Sequence, residues 1–157
     1  MTPLFKKLDL VAGDIVLVLN TPVPFEAELS RLEGVTASFA ERLNDPKSIS
    51  VITYGELVYG ARKSQREETN MARVRRIAEI FPIIDVSPAI VETFGHLKAM
   101  LEKTGSIVAD LDLIIASTAI TRNLILVTNN EKHFQKVHGL QVVHLFNAPH
   151  EPVPLPG

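Results

Sequence analysis

Val108-Ala109-Asp110-Leu111-Asp112-Leu113-Ile114-Ile115-Ala116-Ser117-Thr118-Ala119 opens on two carboxylates, turns apolar, and leads into Leu124-Ile125-Leu126-Val127-Thr128-Asn129-Asn130. After its acids the first stretch is apolar or small nearly all round, which predicts a helix enclosed by other protein. The second is a short aliphatic run ending in polar groups. That is the pattern of a strand buried on both faces, as in a parallel sheet. A buried helix feeding a buried strand also brings charge next to the core, and a partly buried carboxylate needs a partner.

The same alternation extends outward from this stretch. Ile15 to Leu19, Ser48 to Ile52, Ile83 to Val86 and Gln141 to Phe146 read as further short strands. Between them, helical spacing runs over Phe25–Leu32 and Val35–Leu43, a helix opens at Thr53, and another spans Glu67–Phe81 with Met71, Val74, Ile77, Ala78 and Phe81 on one stripe. A further helix begins at Pro88, a residue favoured in the first turn, and ends near Gly105 with Ile90, Val91, Phe94, Leu97 and Leu101 inward. Strands alternating with helices predict an α/β chain, a three-layer α/β/α sandwich on a mainly parallel central sheet. Residues 1–146 are expected to form one domain, with 1–13 as an N-terminal extension. Residues 147–157 contain four prolines and are expected to be a poorly ordered tail.

Composition narrows the function. A chain of 157 residues, 46% hydrophobic and 22% charged, suits one soluble globular domain. It has no cysteine, which excludes disulfides and thiolate metal sites. The net charge of −2 means that nucleic-acid contact would need a local basic patch. No apolar run reaches the roughly 18 residues of a spanning helix, so no membrane association is expected. Asp9 and Asp14 interrupt the apolar start, which argues against a signal peptide and makes the cytoplasm the expected location. There is no Walker loop, no Gly-x-Gly-x-x-Gly and no Gly-x-Ser-x-Gly. The five histidines lack i,i+4 spacing, which argues against zinc.

In parallel sheets ligands sit beyond the carboxyl ends of the strands. Asn20, the Thr53–Glu56 turn and Thr128–Asn130 all stand just past predicted strand ends; Asp14 stands at the wrong end. Each candidate has two readings. Thr53-x-x-Glu56 is the spacing of a capping box, which spacing alone favours; the other reading makes Glu56 a carboxylate past a strand, able to ligate a metal. Asp110 suits an N-cap and Asp112 the positive end of a helix, yet the apolar helix behind them turns Asp112 toward protein, where a divalent cation would be a fitting partner. Asn129 and Asn130 suit a turn, or orient a water or a phosphate. Arg62, Lys63, Arg66, Arg73, Arg75 and Arg76 form the densest basic cluster: a solvated face paired with Glu67, Glu68 and Glu79, or a sequence-independent contact to a phosphate backbone.

At these residues the chain resembles the PIN-domain ribonucleases, in particular the VapC-type toxins of bacterial toxin–antitoxin pairs. Three ordered stretches carry the likeness: Ile49 to Ala61, Gly105 to Ala119, and Val127 to Asn130 with Phe134 and the Gly139-Leu140 turn. The resemblance implies a metal-dependent endoribonuclease whose acidic side chains gather around Mg²⁺ or Mn²⁺. It matches Glu56 and Asp112 to metal ligands, Asp110 to an acidic neighbour, and Asn130 to a position that is acidic in many members and Asn-Asn in toxins of this type. The family's first strand ends in Leu-Asp-Thr-Asn-Val, with the aspartate a ligand; here the matching segment is Leu19-Asn20-Thr21-Pro22-Val23. Asn20 can offer one neutral oxygen but no charge, so weaker metal binding and reduced cleavage are expected. The implied partners are an RNA substrate, a VapB-type antitoxin, a second copy in a homodimer, and operator DNA reached only through the antitoxin. The competing expectation is a catalytically inactive PIN-fold protein that acts by binding an antitoxin or RNA.

Overall fold

A computed structural model describes the chain at residues 15–18, at Leu29, and at residues 47–128 and 131–144. Strand β1 is Ile15–Val18 and β2 is Lys47–Ser50, followed directly by helix α1, Val51–Lys63, and α2, Glu67–Ile80. Strand β3 is Ile83–Ile84, α3 is Pro88–Lys103, α4 is Asp110–Thr121, β4 is Ile125–Thr128, α5 is Glu131–Phe134 and β5 is Val142–His144. The expected helices at 25–32 and 35–43 lie outside the described residues apart from Leu29, which is helical and fully buried. The extension at 1–13 and the tail at 147–157 lie outside them as well.

The strands form one sheet in the order β3-β2-β1-β4-β5, and every pair is parallel. Leu17 of β1 stands between Ile49 of β2 and Val127 of β4. Side chains alternate across a strand, and β4 divides accordingly. Ile125 and Val127 join Ile49, Leu57, Val74, Ile77 and Phe81 on one face. Leu126 joins Leu97, Leu101, Leu113, Ala116 and Phe134 on the other. Helices α1 and α2 therefore cover one face and α3 and α4 the other, which gives the three layers expected. Each fully buried Leu, Ile or Phe in these clusters contributes about 1.5–3 kcal/mol.

Several local readings shift. Val51 and Ile52, expected to continue β2, are instead the first turn of α1. The cause is Ser50, whose Oγ accepts a hydrogen bond from the Thr53 backbone N–H at 3.0 Å and starts the helix three residues early. Glu56 then falls in the second turn, out of reach of a capping box. Helix α4 begins after Ala109, which makes no side-chain cap, so Asp110 is a first-turn residue and not the N-cap. Strand β3 keeps two of its four expected residues. Val91, expected inward on α3, is 52% exposed, while Ile90, Leu97 and Leu101 are buried as anticipated.

Two helix ends deserve their glycine-like geometry. At the end of α3, Gly105 has φ +69, and the Gly105 and Ser106 N–H groups donate to the carbonyls of Glu102 and Leu101. At the end of α4, Asn123 takes the same left-handed place at φ +55, and the Leu124 N–H donates to the Ala119 carbonyl at 2.7 Å. Both are Schellman ends. The second turns the chain straight from α4 into β4, so the start of α4 lies at the carboxyl side of the sheet.

Candidate functional site

The strand order reverses beside β1: the chain proceeds outward through β2 and β3, then returns to place β4 on the other side of β1. At such a switch point two connections leave in opposite directions and open a crevice at the carboxyl ends of the strands. Four expected site positions belong to that end. Asn20 follows β1 and Asn130 follows β4; both lie outside the described residues. Glu56 comes from α1, which leaves β2 there, and Asp112 comes from the first turn of α4. Helix α1 packs against α4.

Glu56 is half-buried, with its Oε2 atom sealed from solvent and making no hydrogen bond among the described residues, although the side chain is engaged elsewhere. The turn that carries it is rigid. Ser50 and Thr53 are both fully buried, and their hydroxyls bond each other at 3.0 Å besides forming the cap.

Asp112 is 3% exposed, in keeping with the expectation that it faces protein. Seven residues of α4 from Asp112 to Ala119 are buried, so the helix is enclosed on almost every side. One partner of its carboxylate is His133, whose Nδ1 lies 3.1 Å from Oδ2. His133 stands on α5, the single turn that follows β4, and its side chain is 54% exposed. Its neighbour Phe134, 1% exposed, anchors that turn in the core.

Asp110 is placed differently. Two residues along a helix is a rotation of about 200°, so it points away from Asp112. Its two oxygens accept from Lys98 Nζ of α3 at 2.9 and 3.2 Å, in the open. The bond and the charge of Asp110 hold Lys98 above the usual lysine value.

The basic cluster divides. Arg62 pairs with Glu67 at 2.7 Å, Lys63 lies 5.7 Å over the Tyr59 ring, and Arg73 donates to Asn70 Oδ1 at 3.4 Å. Arg66, Arg75 and Arg76 are exposed. This elbow between α1 and α2 is closed by Asn70, 1% exposed, which donates to Ser64 Oγ at 2.9 Å. A separate pocket of about 340 Å³ lies against the far end of α3, with Leu97, Leu101 and Val137 in its wall and no carboxylate among the described residues that line it.

Among the described residues, no three of His, Asp and Glu gather closely enough to hold a metal ion. The described donors at this end of the sheet are nevertheless of one chemical kind. Glu56 and Asp112 offer carboxylate oxygens, hard donors that suit Mg²⁺ or Mn²⁺ and not a thiophilic metal. The burial of Asp112 adds to the fit, because a sealed carboxylate gains most from a cation. His133 is the residue that sequence reasoning missed. Its only signal is a histidine directly before a core phenylalanine, a few residues past the polar end of a strand.

No described helix is long and apolar enough to cross a membrane. Residues 18–140 match the PIN domain family. The chain is 38% identical over 113 residues to the tRNA(fMet)-specific endonuclease VapC of Shigella flexneri, covering 70% of this chain and 86% of that protein. It is 39% identical over 97 residues to the ribonuclease VapC2 of Rickettsia felis, covering 62% and 72%. Among solved structures, it is similar to the DNA-bound VapBC of Salmonella typhimurium, with a TM-score of 0.70, 29% identity, and 82% and 97% of the two chains covered. It is likewise similar to VapBC2 of Rickettsia felis bound to a promoter DNA fragment, with a TM-score of 0.65, 29% identity, and 83% and 97% covered.

Proposed function

This chain belongs to the PIN-domain family as a VapC-type member, and from that premise we propose that it is a metal-dependent endoribonuclease toxin of a type II toxin–antitoxin pair, with cleavage weakened by Asn20. The observation that carries this reading is Asp112, a carboxylate 3% exposed at the carboxyl side of a parallel sheet, beside its switch point. Glu56 and Asp112 are the anionic ligands for Mg²⁺ or Mn²⁺, and Asn20 adds one neutral oxygen. Asn130 is given a supporting polar role, and so is Asp110, although Lys98 holds its carboxylate on the outer side of α4. Bound there, a divalent cation offsets charge on the phosphate and favours attack by water. The protein's own part is to hold two carboxylates at fixed places, with Asp112 shielded from solvent. Arg66, Arg75 and Arg76 meet the phosphate backbone of the RNA without reading its bases.

Asn20 leaves the site one negative charge short, so the cation binds more weakly than to a complete set. The test is Asn20→Asp, with RNA cleavage assayed in Mg²⁺ or Mn²⁺. Initiator tRNA is the first substrate to try, since the Shigella relative is specific for tRNA(fMet). A gain on restoration is expected; no gain overturns the place given to Asn20.

A VapB-type antitoxin is the partner, bound by a homodimer in the cytoplasm, and operator DNA is reached only through it. The Salmonella and Rickettsia VapBC structures, both with DNA, support the antitoxin partner. Asn20 itself favours a second reading, an inactive PIN-fold protein whose act is to bind an antitoxin or RNA. Failure of both the chain and its Asn20→Asp form to cleave any RNA selects it.

A further inference from the structure

We propose that His133 is a positioning residue for Asp112: it holds one oxygen of that carboxylate and so sets the plane in which the group meets a cation. The inference rests on the reading of Asp112 as a ligand for a divalent metal. It starts from the 3.1 Å contact between His133 Nδ1 and Asp112 Oδ2. With a carboxylate as acceptor, Nδ1 is the donor, and it donates from the neutral ring as well as from the charged one.

The two partners are unequal in exposure. The Asp112 side chain is 4% exposed and that of His133 is 54% exposed. The imidazole therefore stands between a sealed carboxylate and open water. Its place is set by neighbours. Phe134 is 1% exposed in the cluster that also contains Leu113 and Ala116 of α4. Helix α5 packs on α4 and leads toward β5 at the edge of the sheet. The chain is thus pinned one residue after His133, against the same helix that carries Asp112. A carboxylate in a first helical turn retains rotation about its side-chain bonds. A hydrogen bond from a separately anchored element removes it. Such partners of a ligating group typically govern metal affinity by about 10–100-fold.

The experiment is direct Mn²⁺ binding by isothermal titration calorimetry, made on the full chain and on its Asn20→Asp form. His133→Ala is expected to weaken Mn²⁺ binding by about 10–100-fold. His133→Asn, whose amide nitrogen can take the place of Nδ1, is expected to recover most of that loss. His133→Gln, which places its amide nearer the Nε2 position, is expected not to. A merely structural role would not separate Asn from Gln, and melting temperatures of all three variants check that they fold. Asp112→Asn is the control. If Mn²⁺ binding is lost in Asp112→Asn but unchanged in His133→Ala, the positioning role is overturned and the metal site stands. If Mn²⁺ binding survives Asp112→Asn, or is absent from both forms of the chain, the metal site and the positioning role are overturned together.

Discussion

The inner and outer sides of α4 carry the same functional group into opposite surroundings. Asp112 is 3% exposed and is held by a histidine from the turn after β4. Asp110, two residues earlier, lies in the open and is held by Lys98 of α3. A charge in water gains little from a partner, because solvent already stabilises it and salt screens the pair. A charge enclosed by protein has no such alternative, so its partners decide what it can do. Spacing along the helix therefore separates a candidate ligand from a surface ion pair, although the residue type is identical.

The sharpest way to break the comparison is to remove each carboxylate in the Asn20→Asp background. Asp112→Asn is expected to lower RNA cleavage by more than about 100-fold, above the range for loss of an outer partner alone. Asp110→Asn is expected to lower it far less, and equal losses in the two cleavage assays would erase the distinction.

The inner side depends on its anchor. Phe134→Ala opens a cavity under α5 and is expected to cost about 3–5 kcal/mol in urea denaturation. It should also weaken Mn²⁺ binding, because His133 loses its fixed place. The expected destabilisation with unchanged Mn²⁺ affinity would detach His133 from the site.

The start of α1 sharpens the comparison in another way. There a neutral hydroxyl, not a charge, satisfies the first turn, and it is fully buried. Ser50→Ala is expected to cost about 1–2 kcal/mol. Because Glu56 rides on that turn, cleavage by the Asn20→Asp form should fall with it.

The smallest effect belongs to the outer side. Lys98 is held above its ordinary value of 10.5, chiefly by its bond to Asp110. A raised value in the folded protein means that the contribution is fully present below 10.5 and is lost as the pH climbs beyond the raised value. The stability difference between the protein and Lys98→Met is therefore expected to be small and flat from about pH 7 to 9, since lysine stays charged there. A marked slope in that window, by thermal denaturation, would show Lys98 to be more than a surface partner.

Much of this was legible in the chain. The aliphatic runs at 15–18 and 125–128 are both strands, and the second is buried along its whole length, as short β-branched runs in a parallel sheet are expected to be. The enclosure of Asp112 followed from the apolar residues around the helix behind it. The start of α1 was misjudged because Ser50 and Thr53 are both good caps three residues apart, and local sequence does not rank them. Val91 was misjudged because an aliphatic side chain on a helix need not face the core; a large share of any protein surface is apolar. His133 was not legible as a partner of Asp112, being 21 residues away along the chain.

The sequence alone determined the alternation of elements, the parallel sheet and the residue types able to hold a hard cation. Those follow from periodicity and donor chemistry, which are local. Only the tertiary structure decided which carboxylate is sealed and which is solvated, which hydroxyl starts α1, and which histidine reaches Asp112. Those depend on how separate elements pack, and packing is set by the whole chain at once.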